Sequence, residues 1–204
     1  MPERQTVFVV DDDPSFQRAL VWLLNSVGHH TRAFASPGEF LDAFRPDMAG
    51  CLVTDLRMPQ MSGVQLIERL RGTGTAIPVI VVTAHGSVPT SVQAMKLGAL
   101  DFLEKPFEEQ QFLDLVNAAL ETDRAARLRN HRRRALAAAV QALSDREATV
   151  LRAALAGQSN QQIAGALGIA VKTVETYRSR VLQKSGHASW ADLRVALEHL
   201  DVSI

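Results

Sequence analysis

Apolar and polar positions follow two different rhythms along the first 121 residues. Strand-sized runs, most of them apolar and β-branched or aromatic, occupy residues 6–10, 30–34, 51–54, 77–82 and 100–103. Between and after them, apolar residues recur every three or four positions, which is typical of amphipathic helices. Because parallel neighbours need crossover helices, five strands alternating with five helices predict a doubly wound parallel sheet. We expect the flavodoxin-like strand order 2-1-3-4-5.

The predicted helices begin where a proline, a serine or an acidic residue suits a first helical turn, near Pro14, Pro37, Ser62, Ser87 and Glu108. Gly28 is predicted to end the first of them. Its predicted buried stripe consists of Phe16, Leu20, Leu23, Leu24 and Val27.

From residue 143 onward the pattern is helical throughout. Ser144 and Glu147 have the spacing of a capping box, and Ser159 can cap the following helix. Two short helices packed across a tight glycine turn, with the second running from Val171 to about Ser185, match the helix-turn-helix pattern. A helical hairpin of unrelated role gives the same spacing, but the basic second helix favours DNA binding.

Residues 122–142 are rich in Arg and Ala and contain neither Gly nor Pro. They predict a helical linker between a domain at 1–121 and a second domain at 143–204. The Arg run at 132–134 is interpreted as a solvated charge cluster, with phosphate contact as the alternative.

The zero net charge hides two opposite halves. Residues 1–121 hold 9 Lys+Arg and 15 Asp+Glu, a net of −6, whereas residues 122–204 hold 13 and 7, a net of +6. An acidic half indicates a cation partner and a basic half a polyanion. The single cysteine, Cys51, allows no internal disulfide and fits a reducing cytosol. No targeting or membrane-anchor segment is visible, so we expect a cytoplasmic protein.

Carboxylates follow two of the predicted strands. Asp11 and Asp12 come directly after the first strand and Asp55 after the third. In the expected strand order these strands are neighbours, so the three carboxylates should share one crevice and repel each other unless a hard cation such as Mg²⁺ neutralises them. The alternatives are an Asp55 that only caps the next helix and a solvated acidic loop.

Two further strand ends should face the same crevice. Thr83 follows the fourth strand and Lys105 the fifth. A metal ion, an ammonium and a hydroxyl around one carboxylate suit formation of an acyl phosphate on Asp55. The Lys105–Pro106 bond can be cis or trans, and the sequence leaves this open.

The motifs that carry these residues resemble the receiver domain of two-component response regulators over residues 6 to about 121. They are Asp11-Asp12, Asp55 before Met58-Pro59 and Gly63, Thr83-Ala84-His85-Gly86, and Asp101-Phe102 with Lys105-Pro106-Phe107.

The resemblance implies that a sensor histidine kinase phosphorylates Asp55. It further implies that Asp12, Asp55 and the backbone carbonyl of Arg57 bind Mg²⁺, with Asp11 assisting through water. Thr83 and Lys105 would contact the phosphoryl oxygens. Phe102 holds the aromatic switch position, although an ordinary core aromatic fits its spacing equally. Gln60 stands where many relatives have Gly.

Residues 143–197 resemble the LuxR-type DNA-binding domain, and the whole chain resembles the FixJ/NarL-type response regulators. Its recognition helix would present a polar face to DNA, made of Lys172, Thr173, Glu175, Thr176, Ser179, Arg180, Gln183 and Lys184. Ala170 replaces the Ser or Thr often found before this helix, which would weaken its cap by ~1 kcal/mol. Phosphorylation is expected to favour a homodimer, and RNA polymerase is expected as a further partner.

Trp22 breaks the pattern of the first helix, because it falls on the polar side with Ser15 and Arg18. In receiver domains this helix docks on the kinase, so Ser15, Arg18 and Trp22 are candidate kinase contacts. The alternative is that Trp22 folds over its own helix or packs on Phe107 or Phe112.

Two other functions share part of the pattern. Asp11-x-Asp13 followed by Ser15 resembles the nucleophile motif of haloacid-dehalogenase-like phosphatases, but the later acidic pair of those enzymes is missing. A constitutive DNA binder with a silent receiver conflicts with the intact set of receiver residues. The favoured interpretation is a regulator that turns over no external substrate.

Overall fold

The computed structural model describes residues 4–84 and 88–202, without the side chains of residues 88–90. His85, Gly86 and Ser87, which belong to a predicted motif and a predicted helix start, lie outside the described residues. The chain divides into two compact units, and the boundary along the sequence lies between Ala126 and Arg127.

The N-terminal unit is a five-stranded sheet flanked by helices. Its strands are β1 (Thr6–Val10), β2 (His30–Phe34), β3 (Gly50–Thr54), β4 (Val79–Thr83) and β5 (Asp101–Glu104). Its helices are α1 (Pro14–Ser26), α2 (Pro37–Ala43), α3 (Gly63–Gly72), α4 (Val88–Lys96) and the first part of α5 (Glu109–Gln141). All pairings are parallel and the order is β2-β1-β3-β4-β5, which confirms the predicted fold and strand order.

Both faces of the sheet are buried, because successive side chains of a strand point to opposite sides. Val7 and Val9 pack in a core with residues of α1 and α5, whereas Phe8 and Val10 pack in a core with residues of α2, α3 and α4. The near-continuous apolar runs of the central strands are therefore explained by double burial.

The predicted stripe of α1 is wrong at its last position. The helix ends at Ser26, and Val27 is its C-cap with an exposed side chain. A residue beyond the last helical turn no longer follows the helical periodicity, so Val27 does not reach the core.

Helix α5 runs without interruption from Glu109 to Gln141, through the residues predicted as a helical linker. The boundary between the two compact units falls inside it. The predicted domain limits at residues 121 and 142 stay a prediction.

The C-terminal unit contains the last part of α5 and four short helices: α6 (Asp145–Leu155), α7 (Asn160–Leu167), α8 (Val171–Ser185) and α9 (Trp190–His199). Ser144 and Ser159 both form the reciprocal hydrogen bonds of a capping box. Gly168 ends α7 with φ +63°, a left-handed conformation that makes the tight turn into α8. Ala170 is the N-cap of α8 and offers no side-chain hydrogen bond.

Among the described residues, no helix is both long enough and apolar enough to cross a membrane.

Candidate functional site

The carboxyl edge of the sheet brings polar side chains from neighbouring strands together. Val10 pairs with Thr54, and the Asp55 N–H donates to the Val10 carbonyl at 3.1 Å, so the residues after β1 and β3 lie side by side. Thr83 is the last residue of β4, and the backbone N–H of Lys105 donates to its carbonyl at 2.9 Å. The strand order thus assembles the predicted crevice from distant parts of the chain.

Asp55 has one carboxylate oxygen that is ready for a ligand. Its Oδ2 accepts a 3.3 Å hydrogen bond from the Arg57 N–H, whereas Oδ1 is buried and has no hydrogen-bond partner among the residues that the structure describes. An unpartnered buried acceptor costs about 1–3 kcal/mol, since it gives up water without compensation. Such a cost at a strand end indicates an oxygen kept for a metal ion or for a reacting group.

Asp11 is engaged with Lys105. The ammonium lies 2.9 Å from Asp11 Oδ2, and the two side chains are only 4% and 17% exposed. Oδ1 accepts the N–H of Asp13 at 2.9 Å. Burial raises the pKa of Asp11 above its ordinary value, while the hydrogen bond from Lys105 acts in the opposite direction and the charge of Asp55 adds to the increase.

The other two carboxylates of the first loop are placed differently. Asp12 is exposed, and Asp13 caps α1 by accepting the N–H groups of Ser15 and Phe16. These backbone hydrogen bonds lower the pKa of Asp13. In the described part of the chain, no group of three or more His, Cys, Asp or Glu side chains is arranged to hold a metal ion. Of the three predicted carboxylates, Asp11 is thus buried, Asp55 half-buried and Asp12 exposed, and their shared metal site stays a prediction.

The loop after Asp55 approaches it closely. A Cβ on Gly63 would lie 2.2 Å from the Asp55 carbonyl oxygen, so only glycine fits at this start of α3. Gln60 adopts φ +68°, the left-handed conformation that glycine adopts easily. Gln60 stands where many relatives have Gly, so the backbone of the loop is strained at this residue.

Thr83 and Lys105 lie at the carboxyl ends of β4 and β5, whereas Phe102 lies within β5. The Lys105–Pro106 bond is cis. Thr83 is buried, and Phe102 of β5 is half-buried, packing against the core cluster on one face of the sheet. The predicted contacts of Thr83 and Lys105 with a phosphoryl group stay a prediction.

The exposed side of α1 carries the candidate kinase contacts. Trp22 is 71% exposed, and Ser15 and Arg18 are exposed as well. Phe107 and Phe112 pack against each other, and Phe107 also packs against Phe16. The exposure of Trp22 does not fit the alternative in which it packs into the aromatic cluster.

The predicted DNA-binding face lies on one side of α8. Val174 and Val181 are buried, and Thr173 is half-buried. The exposed side chains are Lys172, Glu175, Thr176, Ser179, Arg180, Gln183 and Lys184. Lys172 pairs with Glu175 across 3.1 Å on the helix surface. The helix therefore has a continuous polar face opposite its buried valines.

Lys184, at the end of the predicted DNA-binding face, forms an ion pair inside its own unit, and its contact with DNA stays a prediction. Its ammonium lies 2.6 Å from the Glu147 carboxylate, and the two side chains are 40% and 4% exposed. The hydrogen bonds from Lys184 and from Ser144 lower the pKa of Glu147 to about 2. Lys184 thus ties the end of α8 to the start of α6 inside its own unit.

Two contributions were not apparent in the sequence. Phe16 was assigned to the buried stripe of α1, but the Lys105 ammonium lies 3.4 Å from the centroid of its ring. Arg178 donates to the Asn160 side chain at 2.9 Å and stacks over Trp190, joining α8 to α7 and α9. For Phe16, the only sequence signal is its short distance along the chain from Asp13, which lies at the carboxyl edge of the sheet. That proximity could have indicated that the ring lies near the crevice.

Comparison with known families gives two matches. The response regulator receiver domain matches residues 7–117, and the family of bacterial regulatory proteins described as the luxR family matches residues 141–195.

Similar proteins cover nearly the whole chain. The transcriptional regulatory protein TdiR of Thauera aromatica is 43% identical over 92% of this chain and 83% of its own length. The transcriptional regulatory protein FixJ of Azorhizobium caulinodans is 42% identical over 97% of this chain and 94% of its own.

Solved structures are similar over the same span. The response regulator StyR, at 42% identity and a TM-score of 0.86, covers 96% of this chain and 99% of its own. Full-length FixJ from B. japonicum, at 35% identity and a TM-score of 0.60, covers 98% of each chain.

Proposed function

Since the chain belongs to the FixJ/NarL-type response regulators, in which a LuxR-type DNA-binding domain follows a receiver domain, we propose that phosphorylation of Asp55 controls its binding to DNA. The phosphoryl donor is a sensor histidine kinase. Phosphorylation favours a homodimer, whose paired DNA-binding domains read a two-fold related site and thereby regulate transcription.

The unpartnered Oδ1 of Asp55 carries this proposal. In the transfer, an Asp55 carboxylate oxygen attacks the phosphorus atom, a P–O bond forms, and the bond to the donor atom breaks with its electron pair leaving on the donor. The product is an acyl phosphate. Lys105 and Thr83 lie at the same sheet edge and supply an ammonium and a hydroxyl for the phosphoryl oxygens.

The residues at the crevice fit a Mg²⁺ ion. Asp11 supplies a buried carboxylate, Asp55 a half-buried one with a buried Oδ1, Asp12 an exposed one and Arg57 its backbone carbonyl, and hard cations prefer such oxygen ligands. When bound, the ion neutralises charge that builds up on the phosphoryl group. Asp11 would assist through a water molecule, and Lys105 would balance the negative charge of the carboxylates.

Partner recognition uses two other surfaces. On α1, exposed Trp22 with Ser15 and Arg18 forms the kinase-docking surface, since a large aromatic in a polar rim is a common anchor. On α8, Glu175 and Thr176 face base edges, and Lys172 and Arg180 contact phosphates.

The remaining assignments follow from the proposed regulatory function. Phe102 acts as the aromatic switch that responds when Thr83 turns toward the phosphate. Residues 1–121 act as the receiver, 122–142 as the helical linker and 143–204 as the DNA-binding domain. A DNA-bound dimer acts through RNA polymerase. The regulator acts in the cytoplasm, which contains the DNA.

The experiment labels the purified chain with a small acyl-phosphate donor and Mg²⁺. Asp55→Asn should abolish labelling, because an amide cannot form the mixed anhydride. Asp42→Asn, at an exposed carboxylate of α2, is the control and should be labelled like the wild type. Phosphate that still accumulates on Asp55→Asn contradicts the site, and phosphate found on Asp11 would favour the phosphatase instead.

A further inference from the structure

Lys105 is held at the crevice from three directions. Its backbone N–H donates to the Thr83 carbonyl at 2.9 Å, and its ammonium donates to Asp11 at 2.9 Å. On the third side, the ammonium lies 3.4 Å from the centroid of the Phe16 ring. An ammonium over an aromatic face is attracted by the ring quadrupole, most strongly where water is excluded.

Phe16 is itself fixed in place. Its N–H donates to the Asp13 side chain at 3.3 Å, within the cap of α1. Its ring meets Phe107 edge to face, with centroids 6.2 Å apart and planes at 85°. Phe107 in turn packs against Phe112, which is fully buried, at 5.5 Å. The ring is therefore a fixed wall of the crevice, anchored in the core between α1 and α5.

The two partners of the ammonium behave differently when a cation arrives. A divalent cation near Asp11 repels the Lys105 ammonium and competes with it for the carboxylate. The Phe16 ring is not a metal ligand, so its attraction for the ammonium persists. Without the ring, the long Lys105 side chain would sample solvent once it was released from Asp11, and its ammonium would no longer be positioned in the crevice.

We propose that Phe16 is a positioning residue for phosphoryl transfer, because its ring keeps the Lys105 ammonium inside the crevice once Asp11 turns to the metal. The inference rests on the proposed function of Asp55. Phe16→Leu removes the π face but keeps an apolar side chain, whereas Phe16→Tyr keeps the ring and is the matched control.

The contact is tested first without metal. The chain contains only four lysines, so lysine labelled with ¹³C gives a simple NMR spectrum, and Lys105→Met identifies the Lys105 signal. Ring currents should shift the Lys105 ε-methylene protons upfield in the wild type and in Phe16→Tyr, but not in Phe16→Leu. Unshifted protons in the wild type would overturn the inference.

The role is tested by the initial rate of Asp55 labelling with an acyl-phosphate donor and Mg²⁺. Phe16→Leu should slow labelling by roughly three- to tenfold, and Phe16→Tyr should retain most of the rate. In a Lys105→Met background, Phe16→Leu should have no further effect, because the ring then has no ammonium to hold.

The outcomes separate this inference from the proposed function. A Phe16→Leu chain labelled at the wild-type rate, or slowed equally in the Lys105→Met background, overturns the positioning role while Asp55 labelling stands. Absence of labelling in the wild type overturns both.

Discussion

Asp55 combines two features that rarely coincide in one carboxylate. Its backbone is fixed by the β1–β3 pairing and by the close approach of Gly63, yet within the described part of the chain its Oδ1 meets no hydrogen-bond donor. The rigid backbone holds the oxygen in place, and its unsatisfied acceptor capacity is what the proposed metal binding and phosphorylation would use.

Ala170 permits a stability prediction at a single position. It has the extended conformation of an N-cap, with φ −70° and ψ 146°, but no side-chain oxygen. Ala170→Ser should raise the free energy of unfolding of the C-terminal unit by ~1 kcal/mol, because the hydroxyl can accept a free N–H of α8.

Urea unfolding followed by Trp190 fluorescence, with Trp22→Phe removing the other of the chain's two tryptophans, measures this change. Ala170→Val, which adds no hydrogen-bond acceptor and ranks with Ala as an N-cap, is the control. An unchanged midpoint for Ala170→Ser would contradict the assignment of the cap.

At the scale of single elements, the Lys184–Glu147 pair links the end of α8 to the start of α6. The pKa of Glu147 is lowered from 4.5 to about 2. Ionised Glu147 therefore stabilises the folded state above pH 4.5, and this contribution is lost as the pH falls toward 2. Lys184→Met should lower the free energy of unfolding at pH 7 by ~1–3 kcal/mol.

The same tryptophan signal, recorded between pH 7 and pH 2.5, tests this pair. The difference between Lys184→Met and the wild type should shrink as the pH falls below 4.5. Lys172→Met, which breaks only the exposed pair with Glu175, should change stability little. A pH-independent difference would mean that Lys184 acts through its packing.

The exposed face of α8 predicts two different losses in DNA binding. Arg180→Ala should weaken binding to all sequences and lower the salt slope by about one, because a phosphate contact carries no sequence information. Glu175→Ala should instead change preference at one position by ~1–3 kcal/mol.

Fluorescence anisotropy with a panel of duplexes at several salt concentrations separates the two effects. Lys184 is unsuitable for this comparison, because its ion pair with Glu147 couples DNA affinity to stability. If Arg180→Ala and Glu175→Ala gave the same profile across the panel, the assigned face would be wrong.

At the scale of the whole molecule, charge is divided along the chain. The acidic first 121 residues suit a cation, and the basic remainder suits a polyanion. The exposed Trp22 lies in the acidic part, where it belongs to the proposed kinase-docking surface. Trp22→Ala should slow phosphotransfer from the sensor kinase while labelling by a small acyl phosphate stays near the wild-type rate.

The small donor serves as the control, since it needs no docking surface. Thermal stability should change little, because a side chain that is 71% exposed buries little apolar area. Equal losses with both donors would indicate a packing role for Trp22.

The apolar periodicity and the turn residues of the sequence were sufficient for the parallel sheet and the helix-turn-helix, because these depend on which positions are apolar and where turns fall, whereas the strand order was expected by analogy with the flavodoxin-like fold. They failed at Val27, since a periodic pattern does not indicate which turn of a helix is its last. The convergence of Asp11 with Asp55 followed from the strand order.

Only the tertiary structure decided which partner each charged group meets. Lys105 contacts Asp11 and the face of Phe16, and Lys184 contacts Glu147 37 residues away. Asp11, Asp12 and Asp13 are consecutive in the sequence, but their side chains have different surroundings. The Asp12 side chain is exposed to solvent, and the Asp13 side chain caps α1. Periodicity determines which face of an element is buried, whereas the pairing of charges depends on distances between residues that are far apart in the chain.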